Sequence, residues 1–141
     1  MAEKIGAEKR PDRTLGTNHD TFWDYCAKGE LRLQKCGKCG HIQWPVKHKC
    51  ESCGATDFTW EAMSGKGKVV SWCTFERDYY GGMLPIPWDT ILVALDEGPT
   101  FLSNPKGFSW LDMSLDMPVK VAFIDCEDSA GAYKSPVFER A

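Results

Sequence analysis

Cys36-Gly37-Lys38-Cys39-Gly40 and Cys50-Glu51-Ser52-Cys53-Gly54 are two matched Cys-x-x-Cys-Gly units, with ten residues between Cys39 and Cys50. Each pair can point two thiolates at one cation, and a return loop of this length brings both pairs to one tetrahedral site. The glycine after each second cysteine suits a backbone that folds back under the metal with positive φ, where a Cβ would clash. Cys36, Cys39, Cys50 and Cys53 are therefore expected to hold a structural Zn2+. Four thiolates fill the shell and leave no position for water, so the metal is read as a scaffold and not as a catalyst. Sites of this kind contribute about 10–16 kcal/mol to folding, enough to hold up a segment with little core of its own. A redox Cys-x-x-Cys would need no twin, and paired disulfides suit a secreted chain. Iron in place of zinc stays open for a four-thiolate set. His41 and His48 lie between the units, and with the shell already full they are read as surface residues.

Outward from the cysteines, the pattern is mostly of period two. Residues 1–17 carry Gly6, Pro11 and Gly16 among charges and are read as a flexible arm. Asn18 or Asp20 is placed to cap a short helix running to Lys28, with Gly29 as its stop. Leu31 and Leu33 alternate with polar residues in a strand that enters the first unit. Beyond the second unit, Phe58, Trp60 and Ala62 alternate with polar neighbours, and Ser64-Gly65-Lys66-Gly67 makes a turn. Further strands are expected around Val69–Phe75, Ile91–Leu95, Thr100–Ser103, Val119–Ile124 and Val137–Phe138. The fold class is mainly β: a short N-terminal helix, a zinc ribbon and a C-terminal five-stranded barrel of the OB type. Its divisions are 1–17 for the arm, 18–63 for helix and ribbon, and 64–141 for the barrel.

Composition narrows the function. Residues 1–65 carry ten Lys/Arg against nine Asp/Glu, whereas residues 66–141 carry seven against eleven. The barrel half thus has a net charge of −4, which opposes the phosphate-backbone binding that zinc ribbons and OB barrels often serve. A single-stranded nucleic-acid module, with Trp72, Phe75, Tyr79 and Tyr80 stacking bases, is the alternative reading. No apolar run has the length of a membrane span and no secretory h-region opens the chain, so a cytoplasmic location is expected. Catalytic signatures are missing: there is no Gly-x-Ser-x-Gly, P-loop, Gly-x-Gly-x-x-Gly or His-Glu-x-x-His, and the chain has three histidines. Cys73 and Cys126 fall in strand-like segments and are read as buried, inert thiols. One segment is read as a site. Tyr79, Tyr80, Gly81, Gly82, Met83, Pro85, Pro87 and Trp88 make a connection rich in aromatics, glycine and proline, the composition of a ligand- or partner-binding loop.

The order of these features is specific. A capped helix with Phe22-Trp23 is followed by Leu31/Leu33, the four cysteines, Trp60, Ser64–Gly67, the Pro85/Pro87 loop, Leu95-Asp96-Glu97-Gly98, Met117-Pro118-Val119 and Pro136-Val137-Phe138. From Asn18 to Glu139 the chain resembles the family of small proteins that join a rubredoxin-like zinc ribbon to an OB-fold beside thiolases and other acyl-CoA enzymes. The resemblance implies a non-catalytic subunit whose larger, thiolase-like partner performs the Claisen chemistry, with a coenzyme A thioester as shared ligand. It implies that Cys36, Cys39, Cys50 and Cys53 bind zinc and that Tyr79–Trp88 lies near the acyl-CoA channel. An aromatic acyl-CoA, such as benzoylsuccinyl-CoA, is compatible with the aromatic loop. The chain departs from the family in having Trp44-Pro45 where relatives carry a proline pair, and Pro85-Ile86-Pro87-Trp88 where they carry Pro-Pro-Tyr.

Overall fold

The computed structural model describes residues 8–141. Its first elements are strand β1 (Glu8–Lys9), helix α1 (Thr17–Ala27), and strands β2 (Arg32–Cys36), β3 (Ile42–Gln43) and β4 (Phe58–Ala62). Then follow β5 (Lys66–Phe75), β6 (Trp88–Leu95), β7 (Thr100–Ser103), a 3-10 turn at Trp110–Asp112, β8 (Pro118–Asp128) and β9 (Gly131–Arg140). Helix α1 starts after Gly16, and no side chain caps its backbone as Asn18 or Asp20 was expected to do. Asp20 instead accepts from the Gly16 N–H through Oδ1 at 3.0 Å. The helix stops where expected, before Gly29 at φ +76°.

Strands β3-β2-β4 form the small antiparallel ribbon sheet. The larger sheet runs β1-β8-β5-β6-β7, with β9 paired to β8 along its whole length. Strands β5–β9 are those of an OB-fold, but they do not close into a barrel by continuous ladders. Between β7 and β9 there is a single parallel bridge, Pro105–Phe138, supported by Phe138 N–H to Asn104 O at 3.1 Å. Strand β5 meets β8 only at Lys66–Lys68 and then diverges. Two glycines make the turn between ribbon and OB-fold sterically possible. Gly65 sits at φ +79°, where a Cβ would lie 2.3 Å from Val121 Cγ1, and Gly67 packs against the Ala94 carbonyl.

Ribbon and OB-fold share one hydrophobic core. Phe22 from α1 packs on Trp44 of the ribbon at 4.7 Å between ring centroids, and Trp44 stacks on Phe101 of β7 at 4.3 Å. Phe101 then meets Phe138 of β9 edge-on. Val69, Ile91, Val93, Leu95 and Val119 complete the interior. Hydrophobic burial on this scale, about 25 cal/mol per Å2 of apolar surface, is what the ribbon lacks when taken alone.

Residues 1–7 of the expected flexible arm lie outside the described residues. From Glu8 onward the chain is docked: β1 pairs in parallel with β8 (Glu8–Cys126, Lys9–Glu127). Arg13 then forms an ion pair with Asp128, with Nε 2.8 Å from Oδ2, and its guanidinium lies 4.0 Å from the Tyr133 ring centroid. Backbone pairing and a buried ion pair, neither visible in composition, fix this part of the arm.

Candidate functional site

The two Cys units adopt the same local fold. Gly40 N–H donates to Cys36 O at 3.0 Å and Gly54 N–H to Cys50 O at 2.9 Å, with φ of +76° and +77° at the two glycines. The turns direct the sulfurs of Cys36, Cys39, Cys50 and Cys53 to one point, all within 4.8 Å of one another. Cys36 Sγ lies 3.5 Å from Cys53 Sγ, and Cys39 Sγ 3.6 Å from Cys50 Sγ. A tetrahedron with metal–sulfur bonds of about 2.3 Å requires sulfurs about 3.8 Å apart, so the quartet fits Zn2+. Cys36 and Cys50 face inward and Cys39 and Cys53 outward.

Electrostatics favour a cation here. Backbone N–H groups of Cys39 and Lys38 point at Cys36 Sγ at 3.5 and 3.4 Å. They draw this thiol down to about 6 against the opposing pull of burial, with help from the neighbouring thiols. At Cys53 the Ala55 N–H is the largest single influence and lowers the thiol, but the hydrogen bond shared with Cys36, burial and the contacts with Cys39 and Cys50 together push it up to about 11. A thiolate beside a retained thiol is an arrangement that a divalent cation replaces, releasing the proton. His41 Nε2 contacts Glu51 Oε1 at 2.8 Å and is not part of the quartet.

A second device holds the ribbon, and its residues do not stand out in the sequence. Gln34 and Gln43 are buried. Gln34 donates from Nε2 to Lys47 O at 2.8 Å and accepts the Lys47 N–H through Oε1 at 2.8 Å. Gln43 donates to Gln34 Oε1 and Lys49 O, and accepts the Glu51 N–H at 2.9 Å. The two amides thus supply the hydrogen bonds that a missing strand would make, carrying the second Cys unit to the first. Gln34 directly follows the buried Leu33 in β2 and is itself buried, so both faces of the strand are covered at this point, which the alternation of Leu31 and Leu33 with polar residues does not signal.

The aromatic loop between β5 and β6 projects from the other end. Tyr79 (66 % exposed), Tyr80, Met83 and Ile86 face solvent, while Leu84 is buried beneath them. Gly81 and Gly82 take φ of +60° and +83°, the turn that reverses the chain. Phe75, Arg77, Tyr79, Tyr80, Leu84, Ile86 and Trp88 line an open, mostly apolar groove of about 380 Å3. Pro85, Pro87 and Trp88 line a neighbouring cleft with Lys106 and Phe108. Cys73, expected to be buried, is exposed, as is Trp72 beside it. A bulge between Val69 and Ser71 resets the alternation, and β5 has already parted from β8 at this point. Cys126 is buried as expected, and burial raises its thiol pKa. No helix of the described residues is long and apolar enough to cross a membrane.

Comparison with known proteins agrees with this architecture. Residues 23–59 match the rubredoxin-like zinc ribbon domain of ChsH2, and residues 60–124 match the ChsH2 C-terminal OB-fold domain. A DUF35 domain-containing scaffold protein of Pyrococcus furiosus is 36% identical over 70 residues, 48% of this chain and 52% of that protein. The 3-oxo-4,17-pregnadiene-20-carboxyl-CoA hydratase alpha subunit of Mycobacterium tuberculosis is 27% identical over 122 residues, 84% of this chain and 39% of that protein. A probable enoyl-CoA hydratase alpha subunit of Thermomonospora curvata is 26% identical, over 77% of this chain and 34% of that protein. The chain therefore spans about half or less of the length of these curated relatives. Among solved structures, a chain of the Ltp2-ChsH2(DUF35) aldolase superposes with a TM-score of 0.80 at 22% identity, covering 92% of this chain and 98% of that one. A DUF35 protein of unknown function from Sulfolobus solfataricus gives 0.54 at 21% identity, over 73% of this chain and 75% of that one. With its ribbon, its OB-fold and their order all matched, this chain belongs to the ChsH2 family of rubredoxin-like zinc ribbon and OB-fold proteins.

Proposed function

We propose that this chain is a non-catalytic accessory subunit of an acyl-CoA enzyme complex. In this reading its larger partner has a thiolase-type active site and its own loop, Tyr79–Trp88, completes or gates the CoA and acyl channel. The observation that carries it is the exposed aromatic loop mounted on a rigid platform. Tyr79, Tyr80, Met83 and Ile86 stand in solvent above a groove, in the manner of a surface awaiting a partner. The histidines sit elsewhere, His19 in α1 and His41 and His48 on the ribbon, so no imidazole is delivered to this surface. The sulfur quartet would hold Zn2+ and supply folding energy and shape, with no step of the reaction passing through it. Relatives whose names include a scaffold protein and two CoA hydratase alpha subunits support work on acyl-CoA. The thiolysis or condensation of a β-ketoacyl-CoA, an aromatic one such as benzoylsuccinyl-CoA included, and a cytoplasmic setting are parts of the proposal.

The hydratase relatives favour a second reading of the partner alone: a hydratase-type larger subunit with the same accessory role for this chain. Affinity purification of the tagged chain from its native host, with identification of the co-purifying larger subunit, separates the two. A thiolase-like partner supports the first reading and a hydratase-like partner the second. Recovery of single-stranded nucleic acid with no acyl-CoA enzyme would contradict both.

A further inference from the structure

The docked part of the arm precedes Trp23, the first residue of the family match, yet it borders the proposed loop surface. Arg13 fastens it at one end, through Nε to Asp128 Oδ2 at 2.8 Å and its backbone N–H to the same oxygen at 3.0 Å. Arg10 reaches the loop at the other. Its Nη1 donates to Asn104 Oδ1 at 2.8 Å and its Nη2 to Glu8 Oε2 at 3.1 Å. The guanidinium carbon lies 5.1 Å from the centroid of Trp88, the residue at which the loop enters β6. Asn104 Nδ2 donates in turn to Asp89 O at 2.7 Å, so Arg10 is braced against both β7 and the start of β6. Among the described residues, Arg10 Nε is the only buried side-chain nitrogen or oxygen without a hydrogen-bond partner. An unmade buried hydrogen bond is costly, so this N–H is a donor open to a further partner.

Two cavities of about 390 Å3 each meet at this side chain. Arg10, Trp88 and Asn104 line both; one cavity, with Glu8, Asp89 and Lys106 in its wall, continues past Pro87 to Phe108, and the other, mostly apolar, continues past Leu84 to Phe75 and Leu102. Separately they are near the small end of the range for ligand sites, about 300–1,000 Å3. Joined, they would form one elongated cleft running beneath the arm. We propose that Arg10 is a specificity-determining residue: lying over Trp88, it separates the apolar end of this cleft from its charged end and sets how far a bound chain extends along it. The identity of that chain, the acyl group of a CoA thioester, rests on the function proposed above; the partition itself does not.

The test uses the full chain carrying Arg10→Ala or Arg10→Lys. In the isolated protein, acrylamide quenching of Trp88 emission is obtained by subtracting the matching Trp88→Phe background. Arg10→Ala should raise quenching in a variant that still unfolds cooperatively, its melting temperature lowered by loss of the Asn104 and Glu8 contacts. Arg10→Lys, which keeps the charge but loses the planar fork, should fall between. In the complex purified with its larger partner, the kcat/KM ratio for a twelve-carbon over a four-carbon acyl-CoA thioester should rise about tenfold in Arg10→Ala. Unchanged quenching in a folded variant, or an unchanged length preference, overturns the proposal. If Arg10→Ala does not fold, Arg10→Lys carries the same two readouts. Increased quenching in a chain that associates with no acyl-CoA enzyme would uphold the partition and remove the acyl-CoA reading instead.

Discussion

Trp44–Asp57 and Glu76–Pro87 both join strands without regular structure, yet one is pinned and the other is not. In the first, the sulfur quartet and the buried amides of Gln34 and Gln43 replace the hydrogen bonds of a missing strand. Trp44 also anchors it in the core against Phe101. In the second, the hydrogen bonds are local, Tyr80 N–H to Asp78 Oδ1 and Met83 N–H to Tyr80 O, and Leu84 is the one buried side chain. Irregular backbone becomes rigid when buried polar groups substitute for a ladder, and stays free for recognition when they do not.

The contrast is broken most severely at the sulfurs. Replacing Cys36 and Cys50 by serine, or stripping the metal with a chelator, removes about 10–16 kcal/mol of folding energy from the ribbon. Circular dichroism and metal analysis should show loss of the ribbon together with zinc; an unaltered fold would dismiss the scaffold role. Next comes Gln34→Ala, which leaves the Lys47 N–H and C=O without their partner. It should cost about 2–4 kcal/mol in urea unfolding, with the metal still bound.

A smaller effect is expected in acid. The side-chain hydrogen bond from Arg13, reinforced by backbone N–H groups, holds the Asp128 carboxyl down to about 2. A carboxylate whose pKa is lower in the folded than in the unfolded state adds stability above the ordinary carboxylate pKa, and this is lost as pH falls through the folded value. Wild type should therefore lose this contribution between about pH 4 and pH 2, and Asp128→Asn should lack that part of the acid limb. Comparing the two by urea unfolding cancels the loss of zinc that acid also causes. Smallest of all for stability is Tyr79→Ala with Tyr80→Ala, within about 0.5 kcal/mol. The same pair should weaken association with the larger subunit by about 2 kcal/mol or more in titration calorimetry, the reverse of the Gln34 result.

What the sequence revealed follows the range of the interactions. The metal quartet was legible because its ligands come in local pairs whose spacing dictates the turn. The OB-fold strands were legible from alternation, except where β5 parts from β8 and leaves Cys73 and Trp72 exposed. Gln34 and Gln43 were not, since their burial depends on a loop folding back over them. The docking of Glu8–Arg13 was not, because its partners, Cys126 to Asp128, lie at the far end of the chain and are reached through backbone pairing and one ion pair. The loop's composition marked it as a candidate binding segment, while its exposure, the groove and the Arg10 contact depend on the tertiary fold.

The central claim is that this chain shapes a reaction chamber without performing the reaction. Reconstitution tests it most directly: the larger subunit is purified alone and assayed for β-ketoacyl-CoA turnover with and without the zinc-loaded chain. The account predicts negligible turnover by either protein alone and full activity on mixing, with the Tyr79/Tyr80 double variant failing to restore it. Equal turnover by the larger subunit in the absence of this chain, or thioester turnover by this chain unaided, would contradict it.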